Sequence, residues 1–364
     1  MHKRGNKVLD NKIKIEHLNN LSEYRTSIIK RPPLKSLFLE LTTMCNQNCI
    51  HCGSNCGKKR DNELTAEQYK DFLLNFKNDF DINSIMLNIT GGEPLLRQDF
   101  FEIMSYANDL GYIWGMTSNG TLIDDEIAKK LKQCGMRTIS ISIDGLEQTH
   151  DRFRQRSGAY KKAMNGIKAL INNGQFENVQ VTTVVTHNSI NELDRLFEIF
   201  DKIDINSWRI INVEPIGRAI DRKDVVLNKN DYINMFSFIR EKRIQGYPIT
   251  YGCSHFLGIE NEMECRDWYF LCSSGIYTAS ITSEGDICGC LDVERRFELI
   301  QGNILKDNFK EIWEKEFKIF RKSLSDESKF CKQCEMVSFC HGGSFHTWDF
   351  EKNKQKLCFK NILF

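Results

Sequence analysis

Along residues 34 to 213 the chain alternates between short apolar runs and longer amphipathic stretches. The apolar runs fall at 37–41, 84–89, 113–117, 138–143, 179–185 and 208–213, and read as strands. The stretches between them, 66–76, 100–110, 125–134, 160–171 and 193–203, carry apolar residues at helical spacing. Strand and helix in strict alternation imply parallel strands joined by right-handed crossovers. Six units are too few to close an eight-unit barrel. The expected fold is therefore α/β, an open partial (β/α)6 barrel completed by a sixth helix near 232–243.

The pattern changes at both ends. Residues 1–33 are polar, end in Arg31-Pro32-Pro33 and read as an N-terminal extension. Beyond Tyr247-Pro248 the alternation stops, and a domain boundary is expected near 247. Residues 277–282 alternate, Glu284-Gly285 turns and Ile287 opens a second short strand, a hairpin. Phe309, Ile312, Trp313, Phe317 and Phe320 share one helical face. The expected domains are thus the extension, a barrel over 34–247 and a small α+β unit over 248–364.

Composition alters this picture at one point, cysteine. Nine of the fourteen cysteines lie beyond residue 250. No apolar run reaches the length of a membrane helix, and the basic N-terminus lacks a signal-peptide core, so a cytoplasmic protein is expected. Cysteines in a reducing compartment point to metal ligation rather than disulfides. Lysine plus arginine (50) balances aspartate plus glutamate (49), which gives no electrostatic reason to expect a nucleic-acid or membrane-surface partner.

Cys45, Cys49 and Cys52 directly follow the first strand. The loop after a strand opens on the catalytic face of a parallel barrel. Three thiolates in eight residues can ligate three irons of a cubane and leave the fourth open. The same cysteines with His51 could hold zinc. Thr90-Gly91-Gly92-Glu93-Pro94 ends the second strand. Its glycines allow the backbone close to a ligand, and Glu93 suits an ammonium group.

CxxxCxxC followed by GGEP resembles the signature of the radical S-adenosylmethionine (SAM) superfamily, and residues 34 to about 216 look like its partial barrel. The resemblance implies a 4Fe–4S cluster on Cys45, Cys49 and Cys52 whose open iron takes the amino and carboxylate groups of SAM. It implies reductive cleavage of SAM, with a 5′-deoxyadenosyl radical abstracting a substrate hydrogen. By the same resemblance Thr90, Gly91, Gly92 and Glu93 meet the SAM ammonium, Ser142 and Arg154 grip the ribose and carboxylate, and the His51 ring packs by the adenine. A plain reading of Arg154 is a solvated surface charge, and one of Asn119, in Thr117-Ser-Asn-Gly-Thr121, is a turn residue before Gly120 rather than a pocket wall.

In the tail, Cys272, Gly285 and Cys290 give Cx12Gx4C, followed by Cys331, Cys334, Cys340 and Cys358. This resembles the SPASM domain, which implies two auxiliary iron–sulfur clusters. Cys331, Cys334, Cys340 and Cys358 would hold the outer one, and Cys265, Cys272 and Cys290 the inner one. Structural zinc is the alternative for such spacing. The pattern's fourth inner cysteine is replaced by Ser344, so the inner cluster is expected to have an unusual fourth position. Cys253 and Cys288 are candidates for a spare ligand or a hydrogen-atom donor, and Asp292 for a substrate base. Cys56 is unassigned and Cys134 reads as a buried small hydrophobe. His346 and Trp348 read as packing residues.

The resemblance implies an enzyme that modifies a peptide or protein, fed electrons by a donor such as flavodoxin or ferredoxin. The alternatives are tetrapyrrole side-chain decarboxylation and a non-catalytic electron-transfer or metal-binding protein. The intact GGEP argues against the last.

Overall fold

The computed structural model describes residues 1, 9–252 and 255–364. Seven strands run parallel in chain order: β1 (Ser36–Glu40), β2 (Met86–Thr90), β3 (Ile113–Ser118), β4 (Met136–Ser142), β5 (Asn178–Val185), β6 (Ser207–Asn212) and β7 (Ile249–Tyr251). The six expected strands are all present, within a residue or two. β7 follows Tyr247-Pro248 and pairs with β6, Trp208 opposite Ile249.

Three further strands extend the other side of the sheet. β8 (Thr278–Ile281) pairs parallel with β1, and the hairpin strand β9 (Asp286–Cys288) and β10 (Gly302–Asn303) follow antiparallel. The order is β10-β9-β8-β1-β2-β3-β4-β5-β6-β7, one open, partly rolled sheet. β1 therefore lies inside the sheet, between β2 and β8.

The chain is described helically as α1 (Asn11–Lys30), α2 (Ala66–Asp79), α3 (Phe100–Leu110), α4 (Asp125–Gln133), α5 (Glu147–Arg154), α6 (Ala159–Asn173), α7 (Leu193–Lys202), α8 (Lys229–Ile244), α9 (Gly258–Cys265) and α10 (Phe309–Lys315). α2 shows how local chemistry sets an element. Thr65 accepts from Gln68 N while Gln68 accepts from Thr65 N, a reciprocal cap, and Tyr69, Phe72, Leu73 and Phe76 are buried on one face. One large core joins the helices to the sheet, with Trp114 and Trp208 fully buried.

The polar N-terminal stretch folds as α1. Asp10 caps it by accepting from Lys12 N. It packs against α9 and the short helix Val337–Cys340. Leu18 is buried among Phe256, Tyr269 and Phe270, and buried Lys14 ion-pairs with Glu264 at 2.6 Å. No described helix is long and apolar enough to cross a membrane.

Candidate functional site

The segment after β1 closes on itself. Cys45 N donates to Gly57 O and Gly57 N to Thr43 O, both at 2.9 Å, so Cys45, Cys49 and Cys52 lie within one lobe. Cys52 N turns back to Cys49 O, and Cys56 N donates to Cys52 Sγ at 3.3 Å. Arg218, beyond β6, pins the lobe through three carbonyls. Its N reaches Cys52 O at 3.1 Å, its Nε Cys49 O at 2.7 Å and its Nη1 Cys56 O at 2.8 Å.

Burial pushes the Cys45 thiol up to about 11, and the nearby thiols Cys49 and Cys52 and the Glu93 carboxylate push the same way. Cys49 is raised by burial too, against the opposing charges of Arg154 and Arg218. Hydrogen bonding from Cys56 lowers Cys52. Two neighbouring thiols that resist ionising alone, Cys45 and Cys49, beside a third that ionises readily, Cys52, suit a positively charged iron core, which would hold all three as thiolates. Among the described residues no three histidine, cysteine or carboxylate side chains gather as ligands of a single ion would.

The glycines after β2 serve the lobe itself. A Cβ on Gly91 would stand 2.4 Å from Thr42 O, and one on Gly92 2.2 Å from Met44 O. Without them Gly92 N donates to Thr42 O at 2.7 Å and Glu93 N to Met44 O at 2.8 Å. The close approach read from sequence as room for a ligand is thus an approach to the cysteine loop's backbone.

Glu93 is fully buried. Ser118 Oγ and Asn119 N each donate to it at 2.8 Å, and it has no ion pair among the described residues. Burial pushes it up to about 7. A buried carboxylate held by these donors and by Leu95 N at 3.5 Å, with no cation in direct contact, is poised for a positively charged ligand. Asn119 is no plain turn residue, since its Nδ2 reaches Asn46 Oδ1 at 2.8 Å, inside the cysteine loop.

Arg154 is buried, not a solvated charge. Its Nε donates to Asp144 Oδ2 and its Nη1 to Gln47 Oε1, at 2.6 and 3.2 Å. Asp144, which the sequence reading passed over, also accepts from Val184 N. Ser142 and Thr90 are half-buried at the ends of β4 and β2. His51 stacks on Phe153, with centroids 4.4 Å apart and planes 4° from parallel. Burial lowers it to about 4, so it is neutral.

In the C-terminal part, burial pushes Cys340 up to about 12, and Cys358, Cys331 and Cys334 each raise it further. The outer four thiols are therefore one neighbourhood. Cys265 ends α9 and is wholly buried, its Sγ 3.9 Å from Phe236 O. Cys272 and Cys290 are half-buried. Cys288 sits on β9 opposite Ser280, buried near Glu40 and Arg295. Cys253 lies outside the described residues. Ser344 is buried, and its hydroxyl meets Thr347 Oγ1 at 2.9 Å, which in turn donates to Gln355 at 2.6 Å. Cys134 is buried beside Ser105 Oγ. Asp292 is exposed, but its Oδ1 stands 3.7 Å from the Cβ position of Gly53, next to Cys52.

A further polar group was invisible in the sequence. Glu214, just beyond β6, holds two histidines from distant segments, His346 Nε2 at 2.7 Å and His255 Nε2 at 3.1 Å. Ile216, two residues on, faces Gly53. Glu214 and Asp292 outweigh burial and raise His346 to about 9. A raised histidine contributes stability that is complete below its ordinary value of 6.5 and is lost as pH rises toward about 9. At about 1.4 kcal/mol per pH unit this is on the order of 3 kcal/mol. Anaerobic urea unfolding at pH 6.5 and 9 should show a smaller pH-dependent loss in His346→Gln than in the parent. Equal losses would mean the pair does not exist in solution.

The radical SAM superfamily matches residues 39–200, and the SPASM iron-sulfur cluster-binding domain matches 272–335. The AdoMet-dependent heme synthase of Methanosarcina barkeri is 32% identical over 83% of this chain and 89% of its own. The mycofactocin maturase MftC of Mycolicibacterium smegmatis is 28% identical over 84% and 76%. In structure, Streptococcus suis SuiB bound to its precursor peptide SuiA superposes with a TM-score of 0.69 at 16% identity, over 90% of this chain and 76% of that one. The open α/β barrel is thus a radical SAM fold. The chain belongs to the radical SAM superfamily and carries a C-terminal SPASM domain.

Proposed function

We propose that the chain cleaves SAM reductively and uses the resulting radical to modify a peptide. Cys45, Cys49 and Cys52 would hold the 4Fe–4S cluster. Glu93 would take the SAM ammonium, supported by its unpaired burial. Arg154 would face the SAM carboxylate, with Asp144 and Gln47 fixing the guanidinium plane. Thr90 and Ser142 would add polar contacts at the strand ends, Asn119 would brace the loop through Asn46, and His51, neutral and stacked, would border the adenine. Bound there, the cluster supplies the electron that splits SAM into methionine and the radical that takes a substrate hydrogen. Cys331, Cys334, Cys340 and Cys358 would hold an outer auxiliary cluster, and Cys265, Cys272 and Cys290 an inner one, with electrons arriving from a flavodoxin- or ferredoxin-like donor.

The observation that carries the peptide reading is the charge beside the cysteine loop. Exposed Asp292 has its Oδ1 3.7 Å from the Cβ position of Gly53, while Glu214, two residues from Ile216, is already paired with His346 at 2.7 Å. A substrate bearing several carboxylates would meet the Asp292 carboxylate there. The second reading, tetrapyrrole decarboxylation, is favoured by the heme synthase relatives. The two separate in anaerobic assays with dithionite and SAM. One arm receives short peptides encoded beside the gene, the other Fe-coproporphyrin III. A mass change in a peptide with stoichiometric 5′-deoxyadenosine supports the first reading. Loss of carbon dioxide from the porphyrin alone would overturn it.

A further inference from the structure

α1 touches three of the segments that carry the proposed auxiliary ligands, those of Cys265, Cys272 and Cys340. Lys14 Nζ binds Glu264 and the Glu260 carbonyl on α9, which ends at Cys265. His17 meets Tyr269 OH at 3.2 Å, three residues before Cys272. Ser22 Oγ donates to Ser338 O at 3.1 Å, two residues before Cys340.

One turn further along α1 is Arg25. It lines a cavity of about 10 Å³ together with Phe270, Cys272, Cys340 and His341. Cys272 belongs to the proposed inner set and Cys340 to the outer. The charges that act on Arg25 are Cys272 and Asp326. Its hydrogen bond to the Lys322 carbonyl is 3.5 Å long. Arg25 is half-buried, and a partly desolvated guanidinium gains from a further negative neighbour beyond Asp326. A cluster ligated by thiolates is such a neighbour, and it becomes more negative by one charge on reduction. Net charge and hydrogen bonding near the sulfurs are among the factors that set a cluster's potential.

We propose that α1 is an integral part of the auxiliary iron–sulfur unit and that Arg25, set between Cys272 and Cys340, stabilises the reduced auxiliary clusters. This rests on the cluster assignment above. Arg25 acts as a positioning and charge-supplying residue, not a ligand, because arginine remains protonated and offers no lone pair.

The test uses the full chain with Cys45, Cys49 and Cys52 changed to alanine, so that only auxiliary clusters remain. Iron is counted and the midpoint potential is followed by EPR. Arg25→Gln should lower the potential at unchanged iron content, and Arg25→Lys should stay near the parent. Loss of iron in Arg25→Gln with retention at the parent potential in Arg25→Lys also supports a charge role. An unchanged potential in Arg25→Gln, a lowered one in Arg25→Lys, or iron loss in both would overturn the proposal. A parent that takes up no auxiliary iron would overturn the cluster assignment itself.

Discussion

Changing Cys45, Cys49 and Cys52 together to alanine is expected to reduce 5′-deoxyadenosine formation from SAM to background. The lobe that holds them would survive, because its closure runs through Cys45 N, Gly57 and Thr43 backbone groups, with Arg218 bound to carbonyls rather than thiols. What disappears is the donor set. Cys56 remains nearby, but one thiolate cannot replace three. The measurement is anaerobic SAM cleavage with dithionite, read by chromatography alongside iron content. Undiminished cleavage in the triple variant would end the radical SAM reading of this loop.

Gly92→Ala should be nearly as damaging although it removes no ligand. The new methyl would stand 2.2 Å from Met44 O, 2.6 Å from Met44 C and 2.8 Å from Thr43 O. All three are backbone atoms, so no side chain can swing aside. Restoring ordinary contact requires the end of β2 and the cysteine loop to part by roughly 1 Å. That breaks Gly92 N to Thr42 O and Glu93 N to Met44 O, the two bonds that set Glu93 against the loop. A displacement of about 1 Å at a reacting centre can cost about 100-fold in rate. SAM cleavage is therefore expected to fall by at least about 100-fold, with less iron retained at the first site. Rates near the parent's would show that the two backbones are not in this contact.

The barrel was legible because its strands are short, apolar and evenly spaced, as in β5, where Val179, Val181, Val184 and Val185 are buried. The cysteine loop stood out in the sequence because Cys45, Cys49 and Cys52 fall within eight residues. α1 was not, because most of its surface is polar, and only Lys14, Leu18 and Ile28 are buried. α5 was missed for a similar reason, since Phe153 is its one apolar residue and the rest of its buried side is His150 and Arg154. Residues that act through distant segments left no local trace. Glu214 meets His255 and His346 only after the tail has folded back, and Asp144 meets Arg154 across the turn into α5. The glycines of GGEP were visible, but what they approach was not, since sequence spacing does not say which backbone lies opposite.

The parallel pairing of β8 with β1 has a consequence for how the chain is made. Ser36 pairs alongside Thr278, so β1 leaves the ribosome about 240 residues before this partner and waits for it. Until then the β8-facing side of β1 is an open edge beside Leu37 and Leu39, both destined for complete burial. So long a separation between partners slows folding and prolongs exposure of that edge to other chains. A barrel truncated before β8 would keep the edge permanently. The tail thus acts as an internal chaperone for the strand that leads into the cysteine loop.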